Sequence, residues 1–467
     1  MRWIIITVVS VVMLFSFISG NWGVPSVQAK KKMILRVYQY PHWEGVTGKE
    51  TEGMSLDDPR RALHKGTDWV NFQARKFLKA YPEVEIKVEF LSWREGRRKV
   101  DILIAAGNPP DMLCMEDSSI IMKYARRGLI APVIEYLTKE DKEDFYQWAL
   151  DSGRIGDKYY NFPFLTMGNM VLANKLIFDE RGMTNLLPNK GDRKWTYDEF
   201  LLAAQKTTFD RNGDGRIDVY GIGINFKDGW TDYTKHSFVW GFGAKMFDET
   251  GKKFIFNSPE AVKGLQFIKD LQDKYRVLPP GSAALGRDDI VQLWNQGKLA
   301  MNSIGFGDSL LALKKGLDQG LIKPGVIEIW PVMYPNDPPH SPVSYSYNDA
   351  MAVFKQKDPK KQDILMKFAY FLTSKENAKA PRAMYALSTR KSAADMYKGD
   401  PLEDFMSYCV RTAKYAGKDT FNPYYVPLRQ FTIPMYQAVL TGEETPKQAL
   451  DECAKAANEF LRKEFAK

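Results

Sequence analysis

The sequence predicts an α/β protein built as two lobes, and three observations support this. At 467 residues the chain exceeds one ordinary hydrophobic core, so two folding units are the default. An apolar strand pattern at Met33–Tyr40, a helical pattern from Asp68 and an alternating strand at Val84–Phe90 follow one another. That succession is a right-handed βαβ unit and predicts mostly parallel sheets flanked by helices. In mid-chain, Gly156 to Phe178 sets an exposed turn before a long apolar and aromatic run, and reads as a passage from one lobe to the other.

Residues 1–29 stand apart. Met1 and Arg2 precede an apolar run that ends at Val27, Gln28 and Ala29, the pattern of a cleaved secretory signal peptide. A retained anchor is the other reading of that run. No cysteine lies near the junction, which excludes a lipid-modified cysteine there. The exported chain holds only Cys114, Cys409 and Cys453, too few for a disulfide framework. Cys453 shares a helical face with Ala449, Leu450, Ala457 and Phe460, which predicts a buried thiol. The formal net charge is +9, but basic clusters such as Arg94, Arg97, Arg98 and Lys99 lie beside Glu95 and Asp101. They read as solvated surface rather than a nucleic-acid footprint.

Between Pro41 and Gly66 lies a polar, glycine-rich insertion that reads as a surface loop, with Trp43 near its start. Val70, Ala74, Phe77 and Leu78 recur at helical spacing until Pro82 ends the helix. A helix at Val100–Ala106 stops at Gly107-Asn108-Pro109-Pro110, and a short strand at Asp111–Met115 ends on Glu116, Asp117, Ser118 and Ser119. Ligands of open α/β sheets collect at the carboxyl ends of strands, so Glu116 and Asp117 are candidate ligand contacts. Asp117 or Ser118 also suits the cap of the next helix.

At the crossing, Pro163 holds its neighbours extended, Asn169–Asn174 reads as a buried strand and Lys175 opens a helix. Thr196 with Glu199 forms a capping box. Asp210, Asn212, Asp214, Gly215, Arg216 and Asp218 then match the start of a calcium loop, in which alternate oxygens and the carbonyl of the seventh residue bind the ion. Its twelfth position is Gly221 rather than Glu, so a bidentate ligand is missing and calcium is an expectation only. Ser258 and Pro259 start another helix. Short strands come next at Leu299–Asn302, Val326–Pro331 and Ser344–Phe354, and Thr445 caps the last helix.

No phosphate-binding loop, nucleophile elbow or paired metal-binding histidines occur, and nothing singles out a catalytic group, but a glycosidase carboxylate pair needs only a set separation in space, so a secreted carbohydrate-active enzyme stays an alternative, as does a receptor for a phosphorylated or cationic small molecule. What recurs is an aromatic ring beside Asp, Asn or Gly at a strand or loop end: Trp43, Trp230, Phe306 near Asp308, Tyr345, Tyr347 beside Asn348, and Tyr436. Flat apolar faces stack on sugar rings while polar neighbours bind hydroxyls, which is binding without chemistry.

The stretches GNPPDMLCMED, YARRGLIAPV, GDKYYNFP, LANKLIFDERGM, KWTYDEFLLAAQK, GDGRIDVYGIG, QGKLAMNSIGFG and KFAYFLTSKENA, taken in order, resemble the extracellular solute-binding proteins, family 1, that serve bacterial ABC importers of sugars. The resemblance implies a type II periplasmic-binding-protein fold with a three-segment hinge, a sugar in the interlobe cleft, permease subunits as partners and no enzymatic activity. It also implies a monomer that needs no cofactor. Cleft positions implied are Glu116, Asp117, Trp230, Phe306 to Asp308 and Tyr436, whereas Met167 and Gly168 stand where sugar binders often carry an acid. The division expected is 30–161 with 330–386 for the first lobe and 162–329 with 387–467 for the second, crossing near Asn161, Trp330 and Leu387.

Overall fold

The computed structural model describes residues 32–40 and 66–466, apart from 228, 230–231, 306–308, 311–312, 314–315, 318, 400–402 and 416. The signal segment, Trp43, Trp230, Phe306 and Asp308 therefore lie outside the described residues. Among the described residues no helix is long and apolar enough to cross a membrane.

The chain begins with β1 (Met33–Gln39), α1 (Gly66–Leu78), β2 (Val84–Phe90), α2 (Trp93–Ala105), β3 (Met112–Asp117) and α3 (Ser118–Arg126). The second helix starts at Trp93 rather than Val100 because Ser92 caps it, accepting from the Glu95 N–H at 3.2 Å. A short α4 (Lys139–Asp144) precedes β4 (Phe162–Gly168) and β5 (Met170–Asn174). Next come α5 (Tyr197–Lys206), α6 (Tyr233–Trp240), α7 (Pro259–Asp273), β6 (Met301–Gly305) and β7 (Ile329–Val332). The chain continues through β8 (Ser346–Val353), α8 (Pro359–Leu372) and β9 (Leu387–Ser388), and closes with α9 (Arg429–Thr441) and α10 (Pro446–Phe465).

Two main sheets result, ordered β9-β4-β8-β3-β1-β2 and β6-β5-β7. They are mixed, not mostly parallel. Among the ladders between these strands, β1 pairs in parallel with β2 and β3, whereas the ladders of β8 with β3 and β4, of β9 with β4, and of β5 with β6 and β7 are antiparallel. Strand β8 returns to the first sheet after β7 of the second and runs against both of its neighbours, β3 and β4.

In the first sheet alternation separates two cores. Leu35, Val37, Met112 and Cys114 join Phe77 of α1 and Phe368 of α8 on one face. Tyr38, Leu113, Val100 and Ile121 pack on the other, under α2 and α3. All three cysteines are free and buried, so packing rather than cross-linking holds the chain.

Strand β4 belongs to the first sheet, not to a second lobe beginning at 162, and the change of sheet falls at Asn169. Pro163 marks an irregularity instead of the crossing: β8 shifts register between Asp349 and Ala350, and Ala350 lies opposite Pro163, where a missing N–H is tolerated. The second passage is the segment 333–345 between β7 and β8, and the third comes after β9, which also pairs in the first sheet. There Arg390, 1 % exposed, donates to Asp141 Oδ1 at 2.8 Å, Asp144 Oδ2 at 2.9 Å and the Thr373 carbonyl at 2.7 Å, with its guanidinium over Phe145. This cluster ties the third passage to α4.

Candidate functional site

The site is built where β3 and β8 end against the hinge segments. Opposite the point where β8 shifts between Ala350 and Ala352, Met115 takes φ 58°, in the left-handed region. A bulge there re-aims the side chains at the end of the strand. Glu116 is fully buried: its Oε1 accepts from Arg97 Nη2 at 2.7 Å and from the Asp117 N–H at 2.8 Å. Asp117 caps α3, its Oδ1 accepting from the Ser119 N–H at 2.8 Å, while the Tyr345 hydroxyl donates to its Oδ2 at 3.5 Å.

Tyr345 is the junction between the halves. Its ring stacks on Tyr233 of α6, with centroids 3.9 Å apart and planes at 8°, and lies 6.2 Å from Tyr425 at 28°. Beyond it, Arg429 of α9 forms a two-pronged pair with Asp232, Nε to Oδ2 and Nη2 to Oδ1 both at 2.9 Å. Burial works to raise the Asp232 carboxyl, but Arg429, with His236 and Lys235, holds it down at about 2. His236 stands between Asp232, 3.7 Å away, and the Tyr436 hydroxyl, 2.9 Å from Nδ1; burial lowers its pKa.

Asn348 carries the opposite kind of group. It is 0 % exposed and its carbonyl accepts from the Ser118 hydroxyl at 2.9 Å. Both atoms of its side-chain amide lack a hydrogen-bond partner among the described residues, as do the hydroxyls of Ser119, Thr234 and Tyr425.

The model of one protein family, described as bacterial extracellular solute-binding protein, matches residues 63–379. The chain belongs to that family. A binding protein of Brucella abortus is 22 % identical over 385 residues, 82 % of this chain and 87 % of its own. A maltotriose-binding protein of Pyrococcus abyssi is 27 % identical over 195 residues, 42 % of this chain and 38 % of that one. Among solved structures, an ABC transporter solute-binding protein of Thermotoga lettingae bound with α-D-tagatose matches with a TM-score of 0.70 and 23 % identity. The match covers 92 % of this chain and 100 % of that one, and shows the same two-lobed fold.

Asp117, Tyr345 and Asn348 meet at the junction. Tyr347 pairs with Met167 through its backbone, and its side chain lies outside the described residues. Glu116 is corrected from ligand acid to the internal counter-ion of Arg97. Tyr345 is corrected from an open stacking surface to a ring enclosed by two others. Tyr436 is corrected to second-lobe core: Thr432, Met435, Tyr436, Val439 and Leu440 are the buried face of α9, a helical spacing visible in the sequence.

The calcium-like segment folds as a hydrogen-bonded turn. Asp210 accepts from the N–H groups of Asn212, Gly213 and Gly215, Asn212 Oδ1 from Asp214, Asp214 from Arg216, and Asp218 from Arg211. Among the described residues no group of three acidic, histidine or cysteine side chains is placed to hold a metal ion. Sequence reasoning missed Arg97, Asp232, Tyr233, Tyr425 and Arg429. Asp232 and His236 are four apart on one helix face, but nothing local points to Arg429.

Proposed function

We propose that this solute-binding protein takes a neutral sugar or oligosaccharide between its lobes and hands it to the permease of an ABC importer. One observation carries the reading. At the junction the charged side chains Arg97 and Glu116, and Arg429 and Asp232, pair with each other, and the buried polar atoms without a hydrogen-bond partner among the described residues include the neutral amide of Asn348 and the hydroxyls of Ser119, Thr234 and Tyr425. Buried polar groups need partners, and a neutral polyhydroxylated ligand supplies both donors and acceptors without adding charge. Maltotriose and tagatose, named for the relatives above, are ligands of that kind. Binding favours the closed form, so the ligand shifts the population of lobe arrangements. The protein acts as an exported monomer, without enzymatic turnover and without nucleic acid. The reading requires no cofactor, and the 210–218 turn has no part in it.

A thermal-shift screen of the secreted chain against mono- to oligosaccharides tests this. A sugar at a hundred times its Kd adds about 2.7 kcal/mol of stability, and it is recovered intact after prolonged incubation. Asn348→Ala abolishes the shift without lowering the midpoint of the free protein, because the amide it removes makes no hydrogen bond within the described chain. Shifts with sugar phosphates or polyamines but not with sugars overturn the reading, and so does a degraded sugar.

A further inference from the structure

Tyr345 does more than line the junction. Its phenol presents to Tyr233 a flat face at 3.9 Å and 8°, the setting of a ring laid on an aromatic platform, with Tyr425 6.2 Å from its centroid. Its hydroxyl reaches a carboxylate at the end of a sheet strand, Asp117 Oδ2 at 3.5 Å. A flat apolar body with a hydroxyl at its edge is also how a pyranose presents itself to such a site. The ring is 4 % exposed, so in this arrangement no ligand ring can lie on Tyr233 or Tyr425 at that place.

The segment that carries it is tied to the hinge. The Tyr345 carbonyl accepts from the Asn169 N–H at 3.1 Å, and the neighbouring Ser344 exchanges backbone hydrogen bonds with Tyr415 and Gly417 at 2.9 Å each. Tyr345 thus touches the first lobe through Asp117, the second through Tyr233, and the hinge through its own backbone.

We propose that Tyr345 is a built-in occupant of the sugar site, a ring that the ligand displaces from between Tyr233 and Asp117, so that the hinge segment sets the affinity and latches the free protein. The proposal rests on the sugar reading above and adds its regulation. Displacement frees the face of Tyr233 and the carboxylate of Asp117, and the ligand then bridges the lobes in place of the ring.

The test uses the full secreted chain as wild type, Tyr345→Ala, Tyr345→Phe and Tyr345→Leu, with maltotriose, D-tagatose and the strongest sugar of the screen as probes. Calorimetry is expected to show Tyr345→Ala binding roughly three- to tenfold tighter, the factor one stacked pair is worth. Tyr345→Phe, which keeps the stack and loses the bond to Asp117, falls between. Tyr345→Leu fills the volume without a flat ring and gives the same gain should the alanine variant fail to fold. Small-angle scattering of the ligand-free alanine and leucine variants gives a larger radius of gyration than wild type. Weaker or equal binding in the folded variants overturns the proposal. If no variant binds any sugar, the sugar reading fails, and ligand-free scattering alone decides the latch: an unchanged radius overturns it.

Discussion

Asn169 donates its backbone N–H to the carbonyl of Tyr345 at 3.1 Å, which joins the first passage between sheets to the second. The Asn169 side chain extends the knot: its amide donates to the Tyr334 hydroxyl, and its Oδ1 accepts from the Gly305 N–H at 3.2 Å. One residue between β4 and β5 therefore holds the backbone of the segment that presents Tyr345.

The Arg429–Asp232 pair is the most exacting electrostatic contact of the site. Arg429→Ala leaves a buried carboxylate without its main partner and costs about 3–5 kcal/mol in urea unfolding. Combining it with Asp232→Asn recovers a large part of that loss. Because the folded carboxyl titrates near 2, below the ordinary 3.8, its contribution is complete above about pH 4 and disappears as pH falls from there towards 2.

Asp419 behaves in the opposite sense. Burial pushes its carboxyl up to about 6, although the Met246 N–H donates to Oδ2 at 2.7 Å. Between about pH 4 and 6 the folded chain holds a proton that the unfolded chain has lost, so stability falls as pH rises through this window, by about 2–3 kcal/mol. Asp419→Asn keeps an acceptor for Met246 and removes that slope. Denaturant midpoints at pH 4.5 and pH 7 for both proteins are the check.

Gly305 closes β6 against β5 so tightly that an added Cβ would lie 2.2 Å from the Met170 carbonyl oxygen. Backbone cannot retreat as a flexible side chain can. Gly305→Ala therefore costs about 1–3 kcal/mol and loosens the ladder beside Asn169. Hydrogen exchange at Met170 and Gly305 is expected to rise more than exchange in β1.

Arg390 anchors the third passage between two carboxylates. Arg390→Met keeps the packing on Phe145 and removes both ion pairs, leaving Asp141 and Asp144 facing each other. The expected loss is about 3–5 kcal/mol, with the first new protease cleavage sites between β9 and α9. Asp141→Asn alone costs less, since Asp144 still pairs with the guanidinium.

How much of this was legible in the chain depends on the range of the interaction concerned. The apolar run of β1, the period-two alternation of β2, the capping box at Thr196, the cap at Thr445 and the Ser258-Pro259 start of α7 act within a few residues, and each stands where its pattern put it. The eight ordered motifs carried the family for the same reason, being local signatures repeated in order. Tyr436 was misassigned although the spacing of α9 held the answer, because a ring beside a polar residue reads alike in a core and in a cleft.

What no local pattern could state is pairing across sequence. Pro163 looked like the boundary of a lobe and is a tolerated irregularity inside a sheet, a difference that depends on β8 arriving from nearly two hundred residues later. Glu116 became a counter-ion because α2 brings Arg97 over the end of β3, and Tyr345 became enclosed because α6 brings Tyr233 to its face. Charge neutralisation and ring stacking are contact forces. They act between whichever residues the packed fold brings within a few ångströms, whatever their separation along the chain.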